Sequence, residues 1–293
     1  MRFSAFIIAS LSMSGALFAN MNPAPIDINV AADEIRPAHM HRRHKSDHQK
    51  FHYREERALA LYTYAFDKDD FFRIGGGVKN YLMKFEKVHP HIHQKEFNNF
   101  VVNLAGEKSH VWHDNLKVRT DIYVHNNTER TKFKNTFVIY EAESVYQANP
   151  NANIHLGVVG TAGLHFTRYL PMIGFDFSKN SWKINAVFPT NVSLVYAFNK
   201  AWSINTAVRW FLSRQRLGKT EHRHLKEGLV TYLNGGAEVG VNYIMMEGLA
   251  ELCIHAGETF GGRARTGDER NNHRQTYRVK PAPYFGASLN IAL

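Results

Sequence analysis

The chain has 293 residues and one Cys, with 36 Lys and Arg against 26 Asp and Glu for a formal net charge of +10. That length serves one large domain or two modest ones. The lone Cys253 excludes an intramolecular disulfide framework and a thiolate metal cluster, and the basic surplus points to an anionic partner.

Residues 1–19, MRFSAFIIASLSMSGALFA, carry one Arg, an apolar run and Ala19 at a cleavage position. This is the layout of a bacterial secretory signal peptide. No Cys follows the run, so a lipoprotein is not expected, and no later run of about 20 apolar residues forms a helical span. For an exported Gram-negative protein the basic surplus meets lipid headgroups and lipopolysaccharide phosphates; nucleic acid is not an expected partner.

Residues 20–66 read as a polar, His-rich periplasmic leader. Their centre, HMHRRHKSDHQKFHYREER, shows no alternation, and ALALYTYAF at 58–66 is ambiguous between strand and helical turn. His39, His41, His44, His48 and His52 have chelating spacings but lack acidic residues to hold a geometry, so the segment reads as solvated and basic, with no metal expected.

From there the pattern is strand at 71–85, 96–105, 115–125, 134–147, 152–165, 168–177, 181–188, 191–198, 201–212, 227–244, 248–258 and 283–293. Successive strand side chains leave on opposite faces, so apolar residues recur at every second position. Leu116, Val118, Thr120, Ile122 and Val124 alternate with Lys117, Arg119, Asp121 and Tyr123. Trp202, Ile204, Thr206, Val208 and Trp210 oppose Ser203, Asn205 and Arg209. The Gly75–Gly77 run sits inside a strand, where it eases curvature or gives room on a crowded inner face.

Short connections such as Ser178 to Asn180 alternate with long charged ones at 86–95, 126–133, 213–226 and 259–282. With the C-terminus on the periplasmic side, counting strands back sends these long loops outward, as in outer-membrane barrels. Residues 106–114 are a longish periplasmic exception. Trp182, Phe188, Trp202, Trp210, Tyr284 and Phe285 at strand ends fit headgroup-level girdles. A soluble sandwich explains some of these aromatics, but not the mid-strand charges of both signs on the opposite face. The expected fold is therefore all-β, an antiparallel transmembrane β-barrel of about 12 strands over 67–293.

The last segment, PAPYFGASLNIAL, sets Phe285, Ala287, Leu289, Ile291 and Leu293 against Gly286, Ser288 and Asn290. It resembles the terminal strand that outer-membrane barrels present to the barrel-assembly machinery, although that strand commonly ends in an aromatic and this one ends in Leu293. Residues 168–210 carry Leu-Pro-x-x-Gly, then Trp-Lys before a strand ending Phe188-Pro189, then the hairpin from Tyr196 to Trp202. On those motifs the chain resembles a family of uncharacterised bacterial outer-membrane β-barrels, a domain of unknown function, over about 70–293. The resemblance implies location and architecture and supplies no catalytic residue or ligand.

Lumen-lining candidates are Lys117, Arg119, Glu141, Glu143, Lys183, Arg209, Glu238 and Glu251. Candidates for lipopolysaccharide contact are Arg214, Arg216, Arg223, Arg263, Arg265, Arg270 and Arg274, because Arg binds phosphate bidentately. Ser213 with His222 and His224 has no catalytic spacing; neither enzyme activity nor a cofactor is expected. The function divides between a narrow passive channel for small polar or anionic solutes and a non-conducting envelope barrel that contacts lipopolysaccharide. Paired lumen charges would seal the pore; unpaired cations would favour anions.

Overall fold

The structure is a computed structural model that describes residues 25–42, 49–67, 70–86, 92–128, 133–218, 225–270, 272 and 274–293. Residues 1–19, expected to be a signal peptide, and His44, His48, His222, Arg223 and His224 lie outside the described residues.

Every long element is a strand. In chain order they are β1 (Ile26–Arg42), β2 (Gln49–Ala65), β3 (Phe71–Glu86), β4 (Glu96–Lys108), β5 (Leu116–Asn127), β6 (Thr136–Asn149), β7 (Ala152–Gly163) and β8 (Phe166–Lys179). There follow β9 (Trp182–Phe188), β10 (Asn191–Ala197), β11 (Trp202–Arg216) and β12 (Leu229–Met245). β13 runs in two stretches, Ala250–Thr259 and Gly262–Gly267, and β14 likewise, Gln275–Val279 and Pro283–Ala292. Each strand pairs antiparallel with its neighbours, and β14 returns to β1 from Asp27↔Ala292 to Ile35↔Tyr284. The result is a closed ring of 14 strands.

The expected 12 all form; the two in excess are β1 and β2, in the segment read as a leader. The reason is a reversal of faces partway along each strand. Near the turns, β1 points Ile26 and Val30 outward and β2 points Tyr62 outward, all exposed. Farther along, the outward side carries Glu34, Arg36 and His39 on β1, and Lys50, Arg54 and Glu56 on β2. Their inward neighbours Ile35, Met40, Phe51 and Tyr53 are buried. Averaged over the segment, apolar and polar positions cancel and no one-face pattern survives.

β2, β4, β6, β8, β10 and β12 end at one rim of the ring, the turn end, with Ile26 and Leu293. β1, β3, β5, β7, β9, β11 and β13 end at the other rim, the loop end, where two-residue turns follow β7 and β9 and longer stretches of chain separate the remaining pairs of strands. Strand structure reaches further into two of these connections than the sequence suggested. β11 continues to Arg216, and half of 259–282 belongs to β13 and β14. On the inner face of β3, a Cβ added to Gly77 would strike the carbonyl oxygen of Ala58, so the wall bends where only glycine fits.

The ring is not uniform in height. β9 and β10 have 7 residues each. β8 therefore meets β9 only from Ile173 onward, and β11 leaves β10 after Val208. Beyond that point β11 stays paired with β12 up to Arg216↔Leu229. Here Phe211, Leu212, Ser213, Arg214, Gln215 and Arg216 are all buried, so both faces of the strand are covered. Phe211, Val230 and Tyr232 join an apolar cluster with Phe51, Tyr53, Tyr81 and Phe97. Leu212 and Leu229 join a second with Phe137, Ile139, Val159 and Leu164. The upper β11–β12 hairpin thus folds inward and partitions the loop end of the barrel.

Candidate functional site

Below the partition the inner face is polar, because every second residue of each strand turns inward from the apolar outer surface. Three networks fill it. In the first, Arg209 on β11 bonds Asp33 at 2.6 Å and Glu238 at 2.9 Å, His255 meets Asp33 at 2.7 Å, and the Tyr284 hydroxyl donates to Glu238 at 3.0 Å. In the second, Arg119 bonds Glu107 at 2.6 Å and Glu143 at 3.3 Å, and His155 lies between Glu143 at 2.9 Å and Asp176 at 2.7 Å. In the third, Lys79 pairs with Glu55 at 2.7 Å, and the Tyr53 hydroxyl donates to Glu55 at 2.6 Å. A charge removed from water needs such a partner to avoid a penalty of several kcal/mol.

All eight lumen candidates stand on this inner face. Lys117 joins the second network through Glu107 at 3.4 Å. Glu141 lies opposite Asp121 in the β5–β6 register, and Lys183 is within electrostatic reach of Asp176 and Glu251. Sequence reasoning missed Asp33 and Glu55 because they lie in the presumed leader, and it left Glu107, His155 and His255 unassigned. Their inward parity on neighbouring strands was the available signal.

Tyr284 is not part of an aromatic girdle: it turns inward and is buried, whereas Phe285 faces out. At the turn end Trp182 packs on Tyr196 with ring centroids 4.6 Å apart, and Trp202 stacks on Tyr243 at 4.4 Å.

The loop-end arginines separate into three groups. Arg214 and Arg216 are buried in β11 and are not the exposed loop residues expected. Arg214 donates to the Leu164 carbonyl at 2.7 Å and to the Thr231 hydroxyl at 3.0 Å, while Arg216 donates to the Glu227 carbonyl at 2.8 Å. Arg263 and Arg265 lie on the upper stretch of β13, and Arg270 and Arg274 are exposed beyond it. At the same rim Lys134 bonds Glu227 at 2.7 Å and Glu269 at 3.2 Å, and these carboxylates push its ammonium pKa up.

Ser213, once a conceivable nucleophile, is buried and accepts a hydrogen bond from Gln215 at 3.3 Å. Among the described residues no three His, Cys, Asp or Glu side chains converge on a possible metal position. A cavity of about 10 Å³, the size of one water, lies against the partition between Tyr81, Asn99, His125, Leu212 and Arg214.

Residues 107–293 match the family described as Domain of unknown function (DUF6268). The chain belongs to the DUF6268 family. The DUF6268 match begins inside β4, later than the residue near 70 from which the resemblance was expected. An uncharacterised Chlamydia trachomatis protein is 24% identical over 149 residues, 50% of this chain and 46% of that relative. A Chlamydia pneumoniae protein is 24% identical over 144 residues, 49% of this chain and 45% of the relative. The DUF6268 chain thus spans about half the length of the curated relatives it matches.

Among solved structures it is similar to an outer membrane channel from Pseudomonas putida F1, with TM-score 0.49 and 10% identity over 92% of this chain and 96% of that one. It is also similar to the Pseudomonas putida toluene transporter TodX, with TM-score 0.39 and 10% identity over 99% of this chain and 96% of that one.

Proposed function

We propose that this protein is an outer-membrane β-barrel whose lumen is shut by its own wall, an envelope barrel and not an open diffusion pore. The membrane reading rests on the outer surface: Val30, Ile74, Val78, Phe100, Ile154, Ile173, Val241 and Ile254 are exposed around the ring. A monomer in water rarely shows so continuous an apolar surface. Hydrocarbon demands the closed hydrogen-bond ladder that β1 and β14 complete. Lipid and, during biogenesis, the barrel-assembly machinery are its partners in this reading.

The observation that carries the closed state is the run Phe211–Arg216, buried on both faces, with the polar networks beneath it. Planar-bilayer recording of the refolded protein tests it. The expected trace is flat; discrete, long-lived openings of heat-modifiable wild-type protein would overturn the reading.

A narrow anion channel is the second reading, and one observation favours it. The Arg119 and Lys117 side chains remain 46% and 37% exposed on the inner face at the turn end. They form a vestibule that admits small anions and conducts only when the upper β11–β12 hairpin moves.

A further inference from the structure

We propose that the outer wall of β13, β14, β1 and β2 at the loop end is a docking surface for a phosphate-bearing glycolipid headgroup, held by Arg263, Arg278, Lys280, Lys50, His39 and His41. Strand parity turns these side chains outward. Ala264, Tyr277, Met40 and Phe51 are buried on the inner face, and the residues next to them alternate to the outside. Arg263, Arg278, Lys280, Lys50 and His39 are exposed, and His41 is half-buried.

The register gathers them in two adjacent rows. Arg263 stands directly opposite Arg278, and Arg278 opposite His41. In the row nearer the turn end, Lys280 donates its backbone N–H to the His39 carbonyl at 2.8 Å, and His39 stands opposite Lys50. Directly opposed side chains of an antiparallel pair lie about 5 Å apart, where like charges destabilise the sheet. Among the described residues no hydrogen bond or ion pair takes up the Arg263, Arg278, Lys280 or Lys50 head, and the His41 Nδ1 is buried without a partner. The acids of this wall are bonded elsewhere: Glu86, opposite Lys50, to Lys84 at 3.4 Å, Glu34 to His52 at 2.9 Å and Glu56 to Arg54 at 3.1 Å. Glu258 stands beside Pro283, nearer the turn end than either row. What the rows lack is a counter-charge from outside the chain.

The same strands lower down point to a lipid as its carrier. Ile254 on β13, Phe285 on β14 and Val30 on β1 are exposed on the outer face, so each strand passes from an apolar belt to the cationic rows. A lipid whose chains cover that belt brings its phosphates up to the rows, where guanidinium forks bind them bidentately and ammonium groups act as point charges. A free phosphate ester has no comparable anchor on an outer wall. The proposal rests on the membrane reading of this barrel and is independent of whether its lumen is closed.

Native mass spectrometry of the folded, detergent-solubilised chain, titrated with diphosphorylated and with dephosphorylated lipid A, tests the surface. Saturable binding of the diphosphorylated form is expected, weakened about tenfold or more in Arg278→Gln/Lys280→Gln and unchanged in Arg270→Gln, an exposed residue beyond the wall. Arg263→Gln/Lys50→Gln, at exposed positions on the flanking strands, gives the same loss should the first double variant fail to fold. No binding to folded wild type, equal binding of the two lipid forms, or equal binding by wild type and the double variants overturns the proposal. Displacement of the lipid by an equimolar amount of pyrophosphate would assign a free phosphate ester and overturn it too. The membrane reading fails separately, if folded wild type is released from outer membranes by a carbonate wash.

Discussion

Arg209 on β11 reaches Asp33 on β1 at 2.6 Å, bridging the inside of the ring past β12, β13 and β14. Replacing Arg209 by Gln leaves Asp33 and Glu238 as buried carboxylates without their cation. The expected loss is about 3–5 kcal/mol of unfolding free energy. Urea unfolding in lipid vesicles measures it. Arg209→Gln/Asp33→Asn should cost less than the two single changes summed, because they share one interaction.

The partition depends on apolar contact at both faces of β11. Phe211→Ala removes a ring packed against Tyr53 and Tyr284 and should cost about 3–5 kcal/mol. Combined with Leu212→Ala on the other face, it should turn a silent bilayer recording into one with intermittent openings. A double variant that stays folded and silent would show that the seal lies elsewhere.

The outer surface tests the membrane assignment. Ile254→Arg places a guanidinium on the apolar belt, where it should cost about 2–4 kcal/mol if that position lies near the bilayer midplane. Arg36→Ala, on the outer face of the loop-end half of β1, should change stability by less than about 0.5 kcal/mol. Equal effects would remove hydrocarbon as the neighbour of Ile254.

Asp70, in the turn between β2 and β3, should give the turn end an acid limit. The Lys108 ammonium and the Ser109 backbone N–H, at 2.7 Å, bond its carboxylate and lower its pKa. A group depressed in the folded state contributes stability above the ordinary carboxylate pKa of about 3.9, and that contribution disappears as pH falls through the folded value. Amide exchange at Ser109 should therefore be faster in Asp70→Asn than in wild type at neutral pH. The two should converge in acid; a constant difference down to about pH 2 would contradict the assignment.

How much of this was legible in the sequence depended on what each face touches. Where a strand has an apolar outer face and a polar inner face, as in β5 and the lower half of β11, strict alternation revealed both the strand and its inner residues. Where a strand rises out of that zone, as β1 and β2 do, the outer face becomes polar and the inner face apolar, and the same periodicity changes sign. The inward departure of β11 was hidden for a related reason. A strand covered on both sides loses alternation, and Arg214 and Arg216 in that stretch read as loop charges. Partnership among the charges was also out of reach, since Arg209 and Asp33 meet only through ring closure.

The β1–β14 seam joins the first described strand to the last. Until β14 arrives, every earlier strand belongs to an open ribbon with a bare edge on β1, sticky toward any other extended chain. Until the ring closes, the Ile26–Ile35 edge must be shielded, which makes this segment the natural target for a peptide that stalls closure.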